Sequence, residues 1–146
     1  MKDYPKPPFP KQEQSLPGSF QKMDPRPDHG EESWRGAGRL EGMAALITGA
    51  ARGIGRAIAE ELGKDHHIYA GASKDASEVV SALPSADPFE ADLTDTNAIL
   101  RAASQIEELD VLVLAAGVME HGPLEELTDE KWREMMEVNL FAPVTL

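Results

Sequence analysis

The residues Thr48-Gly49-Ala50-Ala51-Arg52-Gly53-Ile54-Gly55 follow directly on a short apolar run, Met43-Ala44-Ala45-Leu46-Ile47. Between a buried strand and a helix, glycines at this spacing do separable jobs. One makes a tight turn, one lets backbone approach a pyrophosphate closely, and one lets the helix pack against the strand. The N-terminus of the helix adds unpaired N–H groups and the positive end of its dipole. This points to the binding of dinucleotide phosphates, with Thr48, Gly49, Arg52, Gly53, Ile54 and Gly55 as the contacts. A P-loop for nucleoside triphosphates fits poorly, because no Lys-Ser or Lys-Thr follows Gly55.

Such a turn works inside an alternating fold, and the rest of the sequence supplies one. Ile54, Ala57, Ile58 and Leu62 recur at helical spacing, with Gly63 as the expected C-cap. His67 to Ala70 reads as a second strand, and Val79, Val80 and Leu83 as a short helix closed before Pro84. Pro88 to Ala91 reads as a third strand. Thr94 or Asp95 then caps a helix whose face carries Ile99, Ala102, Ala103, Ile106 and Leu109. Asp110 to Leu114 is the fourth strand. Thr128 caps a last helix with Asp129 and Glu130 in its first turn, and Trp132, Met135, Met136, Asn139 and Leu140 are expected on its inner face. The order is βαβαβαβα. The expected fold class is α/β, a partial Rossmann-type doubly wound parallel sheet with ligands at the carboxyl ends of its first four strands.

Residues 1–42 read differently. They carry Pro5, Pro7, Pro8, Pro10, Pro17, Pro25 and Pro27, few aliphatic residues and no helical or strand period, and are expected to form an irregular arm ahead of a domain over 43–146. A net charge of -12 argues against nucleic acid or an anionic membrane as a partner. The absence of cysteine excludes disulfides, thiolate catalysis and Cys-rich zinc sites. His66, His67 and His121 have no partners at ligand spacing, so no metal site is expected. The N-terminus lacks an apolar signal region, and the longest apolar run, Val111 to Met119, falls far short of the roughly 20 residues of a membrane span. A cytoplasmic location is expected.

The spacing Thr-Gly-x-x-x-Gly-x-Gly resembles that of the classical short-chain dehydrogenases/reductases, and three further motifs follow in that family's order. Asp92-Leu93 matches its Asp-hydrophobic pair after the third strand, Ala115-Ala116-Gly117 its Asn-Asn-Ala-Gly after the fourth, and Glu137-Val138-Asn139 its Asn-containing helix segment. The resemblance covers about Met43 to Leu146 and implies that Asp92 and Leu93 hold the adenine of a nicotinamide cofactor, while Gly117 lets the ribose approach the backbone. The arm, from Pro8-Phe9-Pro10-Lys11-Gln12 to Arg35-Gly36-Ala37-Gly38-Arg39-Leu40, resembles the N-terminal extension of a bacterial stress-associated branch of the family. The body, at His66-His67-Ile68-Tyr69, is closer to small reductases without an arm. A fused reading frame and an uncommon natural combination both remain open.

NAD selection in such folds uses an acid at the end of the second strand. Here that place reads Gly71-Ala72-Ser73-Lys74, with no carboxylate at the tip. Ser73 can donate to a 2′-phosphate and Lys74 can add charge, and Arg52 stands where NADP-preferring relatives often carry a basic residue. NADP(H) is favoured over NAD(H), although Asp75 lies close by.

The family transfers hydride between the cofactor and a carbonyl or alcohol, using a Ser and a Tyr-x-x-x-Lys pair. Neither tyrosine fits: Pro8 stands four residues after Tyr4, and Ser73 four after Tyr69. Of the family's catalytic set only Asn139 is present. In relatives its backbone carbonyl holds a water, and here the amide that would occupy that carbonyl belongs to position 143, a proline without one. Pro143 either bends the helix or ends it. At 146 residues the chain is short for a complete enzyme of this kind. The reading is therefore the NADP(H)-binding portion of a short-chain oxidoreductase, inactive as this chain, with a small-molecule substrate and homo-oligomer expected only for a longer form. The alternative is a catalytically silent dinucleotide-binding or regulatory module, and a methyltransferase ranks last. A fourth strand left as an apolar edge predicts poor solubility.

Overall fold

The computed structural model describes residues 5–15, 19–27 and 37–146. The chain divides into two units, Met1–Arg39 and Leu40–Leu146. Among the described residues of the first, the regular element is a single 3-10 turn, Phe20–Lys22. Side-chain amides do much of the local work there. Gln12 donates to the Asp24 carbonyl at 2.8 Å and accepts from the Asp24 amide at 2.9 Å, and Gln14 accepts from the Ser19 amide at 2.7 Å.

The second unit alternates strands β1 (Ala44–Thr48), β2 (His67–Ala72), β3 (Ala86–Glu90) and β4 (Val111–Leu114) with helices α1 (Gly53–Leu62), α2 (Ser77–Ala82) and α3 (Thr96–Ala103). After β4 come a 3-10 turn (Leu124–Glu126), α4 (Asp129–Met136), a π turn (Glu137–Phe141) and α5 (Ala142–Thr145). All strand pairs are parallel and the order is β3-β2-β1-β4, a Rossmann-type doubly wound α/β sheet. Period-two alternation sorts the core to its two faces. Ala45 and Ile47 of β1 join Ile68, Ala70, Ala59 and Val79 under α1 and α2, while Leu46 joins Phe89, Ala91, Ile99 and Ala142 under α3 and α5. Complete burial of Leu46, Ile47, Ile68 or Ile99 contributes about 1.5–3 kcal/mol each.

Several boundaries differ from those the pattern predicts. α3 stops at Ala103, with Ser104 as its C-cap, so Ile106 and Leu109 lie beyond the helix; Asp95, not Thr94, is the N-cap and accepts from the Asn97 amide at 2.8 Å. β2 continues to Ala72 and β3 begins at Ala86. Gly63 does cap α1, but at φ -66°; the reason for glycine is room, since a Cβ there would lie 2.7 Å from the Ala59 carbonyl and from Leu83.

The largest correction concerns the last helix. Trp132, Met136 and Leu140, predicted to face inward, are 43 %, 43 % and 47 % exposed, and the buried positions are Val138 and Ala142. A reading weighted by side-chain size selects the wrong stripe. Small residues face the sheet because this helix packs closely on the Leu46–Phe89–Ile99 cluster. Nor does Pro143 end the helix, which runs on to Thr145. The π turn sends the Ala142 amide to the Glu137 carbonyl, and Pro143 stands in the first turn of the following helix, where its missing N–H costs little.

Thr48 joins the middle of the sheet to the loop after β4. It is buried, donates to the Val113 carbonyl at 3.4 Å and accepts from the amides of Ala115 and Ala116, both at 3.1 Å. Thr48→Val, equal in size but without the acceptor, leaves two amides unpaired. It should lower stability by about 1–3 kcal/mol, read from the midpoint of urea unfolding at unchanged slope.

Candidate functional site

The strand order reverses between the β1–β3 side and β4, and at the carboxyl ends of the strands lies a cavity of about 480 Å³. The glycine turn forms one wall. Gly49 has φ +69°, and a Cβ there would lie 2.9 Å from the Ala116 backbone, so the turn and the loop after β4 touch as only a glycine permits. Gly53 has φ +61° with nothing within 4 Å of its missing Cβ, leaving bare backbone on the cavity. A Cβ on Gly55 would meet the Gly49 carbonyl at 2.4 Å, so Gly55 seats α1 on the turn.

Arg52 is the N-cap of α1 but makes no side-chain capping bond, and no acid occupies the first turn. The dipole end and its free amides are thus available to an anion from outside the helix.

Beyond β2, Ser73 lines the cavity and no carboxylate does so at that tip. Asp75 is turned away, accepting from the Ser77 amide at 2.8 Å; hydrogen bonds from the Ser77 side chain and amide hold its pKa below the usual carboxylate value. Glu90 accepts from the Ala76 amide at 3.2 Å. Both acids therefore serve the start of α2.

After β3, Asp92 folds its own loop. One oxygen accepts from the Thr94 amide at 2.9 Å and the Thr94 hydroxyl at 2.8 Å, and these two bonds, in that order, hold its pKa below the usual carboxylate value, with a weaker contribution from the charge of Lys74.

After β4, Ala115, Ala116 and Gly117 line the cavity, followed by Val118. Asn139 fixes this segment. Its side-chain N–H donates to the Val118 carbonyl at 2.7 Å and its side-chain oxygen accepts from the Val118 amide at 3.0 Å, with that oxygen 3.2 Å from where a Gly117 Cβ would stand. Glu120 adds an ion pair to Lys131 at 2.9 Å.

Thr48, Gly49, Arg52, Gly53, Ser73, Asp92, Leu93, Ala115, Ala116 and Gly117 thus share one cavity. Ile54, Gly55, Lys74 and Asn139 lie outside its lining. Ile54 is solvent-exposed, Gly55 packs, Lys74 acts through its charge, and Asn139 acts through Val118. Glu134 and Val138, one helical turn apart on the last helix, complete the wall together with Phe89 and Ala91. The i,i+4 spacing of Glu134 and Val138 is visible in the sequence, but their face shows only once the inward stripe is known.

Among the described residues, no helix is long and apolar enough to cross a membrane. The sequence model of the short chain dehydrogenase family matches residues 43–146. The oxidoreductase YhxD of Bacillus subtilis, uncharacterized, is 36 % identical over 148 residues, covering 92 % of this chain and 50 % of that protein; YghA of Escherichia coli, likewise an uncharacterized oxidoreductase, is 32 % identical with the same coverage. Alignments of that extent cannot fit within residues 43–146, so arm and body occur together in these relatives. The chain spans about half the length of the curated relatives it matches. Among solved structures, an NADP complex described as an NAD(P)-dependent gluconate 5-dehydrogenase from Beutenbergia cavernae superposes with TM-score 0.68 at 36 % identity, covering 76 % of this chain and 48 % of its own. A short chain dehydrogenase from Burkholderia cenocepacia in complex with NADP gives TM-score 0.62 at 32 % identity over 73 % and 49 %. The β-α alternation, the glycine turn at the sheet's switch point and the Asn139 segment thus come together in one conclusion: the chain belongs to the short-chain dehydrogenase family of oxidoreductases.

Proposed function

We propose that this chain carries the NADP(H) site of an oxidoreductase that reduces carbonyls or oxidises alcohols. The observation that carries the reading is the open N-terminus of α1, with uncapped amides, a bare Gly53 backbone and Arg52 around one cavity. The amides and the bare Gly53 backbone fit a pyrophosphate. The cofactor would supply the hydride. The chain's own residues bind and orient it: Ser73 and Arg52 at the 2′-phosphate, Asp92 and Leu93 at the adenine, and Ala115 to Gly117 along the ribose.

Preference for NADP(H) over NAD(H) is supported by the carboxylate-free tip of β2 and by Asp75 being spent on Ser77. Lys74 contributes at longer range. Asn139 serves as a positioning residue through Val118 and, in a longer form, as a backbone acceptor beside the catalytic groups. A Tyr-x-x-x-Lys pair does not occur within these 146 residues, so the role assigned to this chain is cofactor binding. The exposed stripe of Trp132, Met136 and Leu140 suits a homo-oligomer contact in the longer form.

Fluorescence titration with both reduced cofactors should give tighter binding of NADPH than NADH. Arg52→Ala should weaken NADPH by about tenfold, a hydrogen bond to a charged group being worth about 1.5 kcal/mol at the low end. Ser73→Asp should invert the preference. Equal affinity of the unsubstituted chain for the two cofactors would refute the assignment.

Asp92 gives a pH signature. Its folded pKa lies below the ordinary 3.8, so its stabilising effect is complete above that value and is lost as pH falls through the depressed one. Asp92→Asn should therefore lower the melting temperature at pH 7, and the gap from the parent chain should close as the pH is taken below 3.8.

A further inference from the structure

Part of the cavity wall is unlike the glycine turn. Leu93, Val118 and Val138 offer it apolar surface, and two acidic residues, Asp92 and Glu134, belong to the same lining. The Glu134 side chain makes no hydrogen bond or ion pair among the described residues. The cation three residues before it, Lys131, is taken by Glu120 at 2.9 Å, and Arg133, adjacent in sequence, lies on another helix face. Glu134 shares its face with Val138, one turn on, and both border the cavity.

Two carboxylates repel a phosphate, so this stretch of wall suits an uncharged part of a dinucleotide. Apolar side chains in the lining accommodate a planar ring. Ionised carboxylates only accept hydrogen bonds, so the ring must present donors to them. Asp92 has one oxygen occupied by Thr94 and one to offer. An exocyclic amine carries two N–H groups and can donate to a carboxylate. A carbonyl in the same place would set its lone pairs against two negative charges.

Resting on the cofactor reading above, we propose that Glu134 is a specificity-determining residue of the site, accepting a hydrogen bond from the exocyclic amine of a 6-aminopurine and selecting it over a 6-oxopurine. It does so from the last helix, an element separate from the strand loops that carry the other cofactor contacts. The selectivity belongs to the base and is independent of the 2′-phosphate, which lies with Arg52 and Ser73.

The test is calorimetric titration of the 146-residue chain with NADPH and with its deaminated counterpart, in which hypoxanthine replaces adenine. The parent chain should bind the adenine form more tightly. Glu134→Ala should reduce the ratio of the two affinities by about fivefold, as expected for a charged hydrogen bond at a partly solvated site. Glu134→Gln, whose amide can accept from one base and donate to the other, should also reduce it, and circular dichroism of both variants should match the parent. An unchanged ratio in both variants, with NADPH still bound, overturns the role of Glu134 and leaves the cofactor reading standing. Failure of the parent chain to bind either dinucleotide overturns both.

Discussion

The hydroxyl of Thr48 is the pin on which the site turns. It stands at the last residue of β1, buried, and gathers the chain leaving β4 by accepting two successive amides. One residue later the bare Gly49 lies against Ala116 at a distance no side chain tolerates. Together these contacts set the separation between the glycine turn and the loop after β4. They do so from the middle of the sheet, where β1 is held on both sides by four-residue parallel registers. The phosphate-facing wall and the Ala115–Gly117 wall are consequently placed relative to one another by backbone and one hydroxyl.

In a protein of net charge -12, several carboxylates near the glycine turn and the tip of β2 are engaged locally. Asp75 and Glu90 are used as acceptors for amides at the start of α2. Arg56, one residue beyond Gly55, bonds Glu60 at 2.8 Å and Glu78 at 2.7 Å, and these hydrogen bonds raise its already high pKa. That pairing ties α1 to α2 on the surface and occupies two more acids. The α1 N-terminus itself offers its dipole and Arg52, with no acid in its first turn.

Most of this arrangement is legible in the sequence, for reasons that differ by element. The glycine turn is readable because each glycine answers a steric demand, and the strand–helix alternation because buried strands and amphipathic helices carry different periods. Asp92 is identifiable only by motif; nothing local announces that Thr94 will take one of its oxygens. The last helix misleads. Its large apolar residues point outward and its small ones inward, since hydrophobicity ranks Trp132 and Leu140 above Ala142 whereas close packing on the Leu46 cluster favours the alanine. Pro143 reads as either a bend or a stop. A π turn lets the helix pass it by changing which carbonyl each amide meets, a shift that composition does not encode.

The side-chain amide of Asn139 carries one donor and one acceptor, the same pair that a peptide unit presents. By bonding both the N–H and the C=O of Val118, it imitates a single residue of a neighbouring strand. The ladder capacity of the chain beyond β4 is therefore used up at that residue. One asparagine side chain thus occupies, at Val118, both backbone groups that strand pairing would use.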